Sequence, residues 1–259
     1  MLSAKFRSQY LYPVLTFIGL VLLWELLARF FSIRELFLPA PSKVGLVTLN
    51  LGGLLFKHSL VTLYETLLGF LLGVLVGIPL AIGIVYSRFL QNTIYPLIVA
   101  AQSIPKAAVA PLFLIWIGYG LGSKVLVAFS ITFFPIVVST ATGLNAVEPE
   151  MLDLIRSLSA SSSQIFRMVR FPNAIPFIFT GFKVSITLAV IGAIVGEFVG
   201  SNNGLGYLIL VATSELNTSL VFSSIILLSI MGVGLFAIVG VIERILFPWY
   251  TARTEFLAA

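Results

Sequence analysis

The sequence predicts an all-α membrane protein of six transmembrane helices, with the N- and C-termini both on the cytoplasmic side. Three observations predict it. Hydrophobic residues fill 59% of 259 positions and charged residues only 10%, at a mean hydropathy of +1.11, whereas soluble domains carry about 25% charged residues. Six apolar runs of about 20 residues or more follow one another, each long enough to cross ~30 Å of hydrocarbon at ~1.5 Å per residue. The basic residues also divide unevenly between the two sides that such a chain exposes.

Residues 1–12, with Lys5 and Arg7, are expected in the cytoplasm. Residues 13–31 form the first span. Glu25 interrupts its apolar run and no small-x-small cleavage site follows, so it reads as an anchor and not as a secretion signal. Residues 32–58 are mixed: FLPAPSKV leads into a weakly amphipathic stretch with Lys43 and Lys57, placed outside. His58, the sole histidine, reads as a surface-loop residue. Residues 60–86 are the second span, where Gly69, Gly73 and Gly77 at four-residue spacing form a packing face that another helix can approach closely.

Arg88 marks a short cytoplasmic turn. The third span, residues 93–117, contains Pro96, Pro105 and Pro111, so it is expected to be interrupted. Broken backbone at membrane depth is tolerated where it is buried in protein or lines a cavity. The external turn GYGLGS at 118–123 has neither the preceding strand nor the following Gly-Lys-Ser/Thr of a nucleotide loop. Residues 124–146 are the fourth span and 175–199 the fifth. A Gly-Ser-Asn-rich turn (200–206) and a short external segment (207–217) lead to the sixth, 220–242, and a cytoplasmic tail.

Nine of the 15 basic residues then lie with the termini: Lys5, Arg7, Arg88, Arg156, Arg167, Arg170, Lys183, Arg244 and Arg253. Five lie opposite (Arg29, Arg34, Lys43, Lys57, Lys124), and Lys106 stays inside the membrane. That bias places both termini in the cytoplasm. The basic residues are scattered singly, so the net charge of +5 reflects loop topology and not nucleic-acid binding. With no cysteine and one histidine, no disulfide framework, no thiolate or His-rich metal site and no Cys nucleophile is expected.

One polar island interrupts the pattern. EPEMLDLIRSLSASSSQIFRMVRFP, residues 148–172, holds Glu148, Glu150, Asp153, Arg156, Arg167 and Arg170, too many charges to cross a bilayer. Met151, Leu154, Ile155 and Leu158 recur at helical spacing, and Pro149 suits a first turn. Ser161 with Gln164 forms a capping box for a second helix, whose apolar face is Ile165, Phe166 and Val169 and which Pro172 is expected to stop. The island reads as a short amphipathic helix-turn-helix that needs a groove to fill.

Asp153-Leu154-Ile155, Ser159 at the seventh place, nine more residues and Val169-Arg170-Phe171-Pro172 follow the spacing of the EAA loop of ABC-transporter permeases. The family pattern is Glu-Ala-Ala, a glycine at the seventh place, then Ile-x-Leu-Pro; here Ser159 replaces the glycine. The flanks QSIPKAAVAPLFLIWIGYG and IPFIFTGFKVSITLAVIGAIVGEFVGSNNGLGYLI resemble the subgroup that imports nitrate, sulfonates, taurine, and thiamine or riboflavin precursors. The resemblance covers about residues 37–250. It implies the type I ABC importer permease fold, a single transmembrane domain over residues 1–259 with the coupling helix-turn-helix at 148–172, and a bacterial inner-membrane location. It further implies two copies of an ATPase subunit, an extracytoplasmic binding protein and a second copy of this chain as partners. This chain itself would bind no cofactor; ATP and its Mg²⁺ would be used on the ATPase.

On the coupling loop, Met151, Leu154, Leu158 and Phe166 are the expected buried anchors and Asp153, Arg156 and Arg167 the rim contacts, with Ser159 and Pro172 at the turns. A left-handed turn at Ser159 would cost roughly 1–2 kcal/mol. Along the path, Gln102, Ser103 and Lys106 at the proline break, Ser185 and Thr187 in the fifth span, and Glu197 near its outer end are candidates. Lys106 either attracts an anionic group on a small polar solute, pairs with a carboxylate such as Glu65 or Glu197, or snorkels through flexible backbone. Ser185 and Thr187 either line the path or bond back to their own helix. Two other classes stay open: an intramembrane enzyme built on Ser103 and Lys106, and an ion-coupled carrier, which would show inverted repeats and paired broken helices.

Overall fold

Three long helices, α3 (Gly52–Tyr86), α6 (Leu121–Asn145) and α9 (Phe171–Gly200), meet along one seam of small residues. The computed structural model describes residues 2–31 and 34–248, with the side chains of residues 11–31 and 34–248. At the centre of the seam Ala128 of α6 lies between Gly69 of α3 and Gly192 of α9. A Cβ added at Gly69 would overlap that of Ala128, and one at Gly192 would sit 2.6 Å from the Ala128 Cα. Gly73 and Gly77 continue the contact against Thr132 and Ile136. In lipid the drive for helix association is van der Waals packing, so backbones close together on small residues. Gly192→Ala is therefore expected to cost about 1–3 kcal/mol by overpacking, read as a lower unfolding midpoint in detergent. Gly19→Ala, which meets open space, should leave that midpoint unchanged.

Around this seam pack α1 (Leu2–Phe30), α2 (Pro41–Asn50), α4 (Tyr95–Ala101), α5 (Lys106–Ile117), α10 (Leu205–Ser214) and α11 (Thr218–Leu246). Two short helices, α7 (Pro149–Ser157) and α8 (Ser162–Ile165), join α6 to α9. Five helices among the described residues are long and apolar enough to span a membrane, and six when α4 and α5 count as one broken span. The expected interruption falls at residues 102–105, where the axis turns by 100°. Pro105 becomes the N-cap of α5 in extended backbone, as the proline ring and its missing N–H require. Pro111 remains inside α5.

The bundle has two distinct ends. The α7–α8 hairpin lies at one, while α2, α10 and the starts of α3, α6 and α11 gather at the other. Two expectations change here. The stretch around Lys57 and His58 belongs to α3, which begins at Gly52, and His58 is buried. Pro172 does not stop a helix: it opens α9, and the helix is continuous from Ser162 to Gly200. A π turn at Phe166–Arg170 precedes it, and a matching π turn at Leu90–Ile94 precedes Tyr95-Pro96. In both places a widened turn receives an aromatic-proline pair, so the missing N–H is absorbed without ending the helix. Residues 249–259, with Arg253, and the side chains of Lys5 and Arg7 lie outside the described residues.

Candidate functional site

The hairpin is built from local signals. Pro149 occupies the first turn of α7 and Glu148 precedes it. Leu158 ends the helix and Ser159 adopts φ +59°, with its N–H on the Arg156 carbonyl (2.9 Å) and the Ala160 N–H on Ile155 (3.4 Å). That is the left-handed C-terminal stop usually filled by glycine. Ser159→Gly should stabilise the hairpin by about 1 kcal/mol, checked by slower amide exchange across residues 150–160. Beyond the turn, the Gln164 N–H donates to Ser161 Oγ and the Ser161 N–H donates to Gln164 Oε1 (2.8 Å), so both halves of the capping box are made.

α7 carries two apolar faces. Leu152 and Ile155 are half-buried. Met151, Leu154 and Leu158, spaced at three and four residues, are exposed, Leu158 at 71%. Asp153 and Arg156 pair with each other at 3.2 Å beside this face, and Arg167 is exposed. Phe166 is placed differently from the other three expected anchors: it is half-buried against its own chain, near Tyr86 (6.1 Å) and Phe171 (5.8 Å). Met168, 72% exposed, instead stands free beside it. Arg170, which spacing alone did not single out, ties the hairpin to α6. Its guanidinium donates to the Leu144 carbonyl (3.0 Å) and to Asn145 Oδ1 (3.3 Å), 6.0 Å from the Tyr86 ring.

The break in the third span exposes Gln102 and Ser103. Lys106 donates to the Gln102 carbonyl and lies 4.8 Å from the Phe134 ring centre. It pairs with neither Glu65 nor Glu197. Ser103 lies in the turn between α4 and α5 and Lys106 opens α5, so the two are not one turn apart on a single helix as the Ser-Lys reading supposed. Near the hairpin end, a groove of about 330 Å³ between α6 and α9 is lined by Val138, Ser139, Thr142, Pro176, Phe177 and Thr180. Thr187 donates to Val184 of its own helix (2.8 Å). Ser185 is fully buried and donates to the Thr132 carbonyl (3.1 Å), inside the α6–α9 seam.

At the opposite end five polar side chains form a buried network. His58, Thr62 and Glu65 lie along one face of α3, Lys124 opens α6 and Glu197 closes α9. Lys124 is the partner of Glu65 and also donates to Ser201 Oγ (3.0 Å). Three successive N–H groups at the start of α10 each meet a different side chain. Gly204 donates to His58 Nδ1 (2.9 Å), Leu205 to Thr62 Oγ1 (2.8 Å) and Gly206 to Glu197 Oε2 (2.5 Å). Thr62 in turn donates to Glu197 Oε1 (2.6 Å). These are the N–H groups that a helix start leaves without partners. Glycine is required at 204 and 206: Gly204 holds φ +108°, and a Cβ at Gly206 would lie 2.7 Å from Glu197 Oε2. No group of three or more metal-ligating side chains occurs among the described residues.

The bundle of long apolar helices, with one broken span and a hairpin exposed at one end, is the build of an integral membrane protein. The particular family follows from comparison. The chain belongs to the binding-protein-dependent transport system inner membrane components, whose profile matches residues 69–251. It is 37% identical to the formylaminopyrimidine transport permease protein ThiX of Halalkalibacterium halodurans, over 95% of this chain and 98% of that protein. It is also 37% identical to the riboflavin transport system permease protein RibX of Chloroflexus aurantiacus, over 76% and 74% of the two chains. The taurine transport system permease protein TauC of Escherichia coli is 29% identical, over 89% and 86%. An inward-facing structure of the MetNI methionine ABC transporter shares the fold, at TM-score 0.66 and 20% identity over 75% of this chain and 97% of that one. The protein is accordingly an ABC-transporter permease of the inner membrane, a transport subunit and not an enzyme.

Proposed function

We propose that this chain is the membrane-spanning subunit of an ATP-driven bacterial importer, moving a small polar or anionic solute delivered by an extracytoplasmic binding protein. Two copies of the chain would enclose the path, and two copies of a separate ATPase would drive it, holding ATP and Mg²⁺ on their own surfaces. The termini and the hairpin would face the cytoplasm, as the excess of basic residues on that side supports. The single observation that carries this reading is the outward apolar face of α7. Met151, Leu154 and Leu158 are exposed on a helix whose other face packs on its own chain. An amphipathic helix of that kind fits an apolar groove with a charged rim, and Asp153, Arg156 and Arg167 surround it.

Relatives named for the transport of formylaminopyrimidine, riboflavin, taurine and aliphatic sulfonates support a small polar or anionic cargo of that kind. Lys106, at the break and half-exposed, is the cation suited to attract an anionic substituent near membrane depth. The test is reconstitution of the chain with the ATPase and binding protein encoded beside it. ATP turnover that rises on adding loaded binding protein supports the reading; turnover indifferent to it sinks the reading. In the same assay Ser159→Pro should uncouple the two activities. Proline cannot adopt φ +59° and lacks the N–H that meets the Arg156 carbonyl. Normal uptake in that variant would show that the turn transmits no force.

A further inference from the structure

Nothing in the reading above assigns a task to the buried network at the α10 end. α10 is only 10 residues long, and a helix of that length is marginal by itself in water. What it packs against is apolar: Leu205, Leu208 and Ala212 are buried in one cluster with Leu55 of α3, Ile186 and Val190 of α9, and Leu220 of α11. What orients it is polar. His58 and Thr62 come from α3 and Glu197 from α9, so the start of α10 is fastened to two of the three seam helices at once. Glu197 is the centre of this fastening. It is 1% exposed, its two oxygens accept from Thr62 and Gly206, and the two glycines lie so close to it that no side chain fits between.

We infer that Glu197 is the positioning residue of an extracytoplasmic latch, which seats α10 as a lid across the outer end of the bundle and makes it move with α3 and α9. The inference rests on the proposed orientation, with the hairpin inside and α10 outside. α3 and α9 run from the latch to the hairpin region, where Tyr86 meets Phe166 and α9 continues the hairpin's own helix. A displacement of the hairpin therefore reaches the lid through two continuous helices. Release of the latch means parting the Gly206 N–H from Glu197 Oε2 and the Thr62 hydroxyl from Glu197 Oε1.

The chain contains no cysteine, so a single introduced one is a unique target within it. Leu208→Cys would report the lid, since Leu208 is buried on the inner face of α10; Thr213→Cys, exposed on the same helix, reports orientation. Labelling of intact cells with a membrane-impermeant maleimide should be slow at Leu208→Cys and fast at Thr213→Cys. Adding Glu197→Gln, which keeps an acceptor for only one of the two donors, should speed labelling at 208 by roughly tenfold, the scale of losing one hydrogen bond. Glu197→Leu should exceed it. Gly206→Ala, which leaves the carboxylate intact but pushes it away, should resemble Glu197→Gln. An Ile136→Cys probe in the seam should stay unlabelled in detergent extracts of every background.

Equal labelling at 208 with and without Glu197 would overturn the latch. Exposure of Ile136→Cys alongside Leu208→Cys would overturn it too, because it would reveal general unfolding. Protection of Thr213→Cys in intact cells, relieved only by permeabilisation, would instead show that the proposed orientation is wrong. The comparison of Glu197 variants in permeabilised cells would then still report on the latch itself.

Discussion

Leu154→Asp is expected to abolish capture of the ATPase subunit. Leu154 is 57% exposed at the centre of a face completed by Met151 and Leu158. A carboxylate there would have to be desolvated without a partner when the helix enters its groove. Burying an unpaired carboxylate at such a position costs roughly 2 kcal/mol or more, so the affinity should fall by at least ~30-fold. The measurement is co-purification of a tagged ATPase from membranes, with Leu152→Asp as comparison. Leu152 faces the chain's own body, so that change should lower the stability of the permease itself. Undiminished capture by Leu154→Asp would mean that α7 docks by another face or not at all.

Arg170→Ala is expected to separate docking from work. The guanidinium holds the last carbonyls of α6 through Leu144 and the Asn145 side chain, and lies by Tyr86 at the end of α3. It thus fastens the hairpin to two seam helices without touching the outward face of α7. Losing a charged donor at these carbonyls removes about 1.5–3 kcal/mol of anchorage. The ATPase should therefore still co-purify, while its turnover should cease to respond to binding protein. Both hydrogen bonds leave one guanidinium nitrogen, so Arg170→Lys, whose ammonium carries three donors, should restore part of the coupling. Equal loss of capture in Arg170→Ala would show that this residue shapes the docking face instead.

The hairpin was legible because its determinants are local. Pro149, the Ser161/Gln164 box and the strained position at Ser159 act within a few residues, and each is found where spacing put it. The outward stripe was also legible, except that Ile155 turns inward and Phe166 packs on Tyr86. Pro172 misled because a proline rule that ends helices ignores the π turn, which supplies one extra residue before the ring. His58 misled for a different reason. Its assignment to a loop followed from local composition, but its Nδ1 is claimed by a backbone N–H 146 residues away.

Composition and periodicity by themselves determined that this chain lives in a membrane, crosses it with long helices, breaks one of them at prolines and carries one amphipathic hairpin. Each of those properties is a sum over neighbouring residues, or a conflict between charge and hydrocarbon that no partner elsewhere can hide. Only the tertiary structure decided which isolated polar residues meet. It gave Glu65 to Lys124 and not to Lys106, tied Glu197 to Thr62 across 135 residues, and closed three helices on Ala128. Such pairings depend on which helix faces lie side by side, and apolar spans of similar composition encode that through shape, which has no one-dimensional signature.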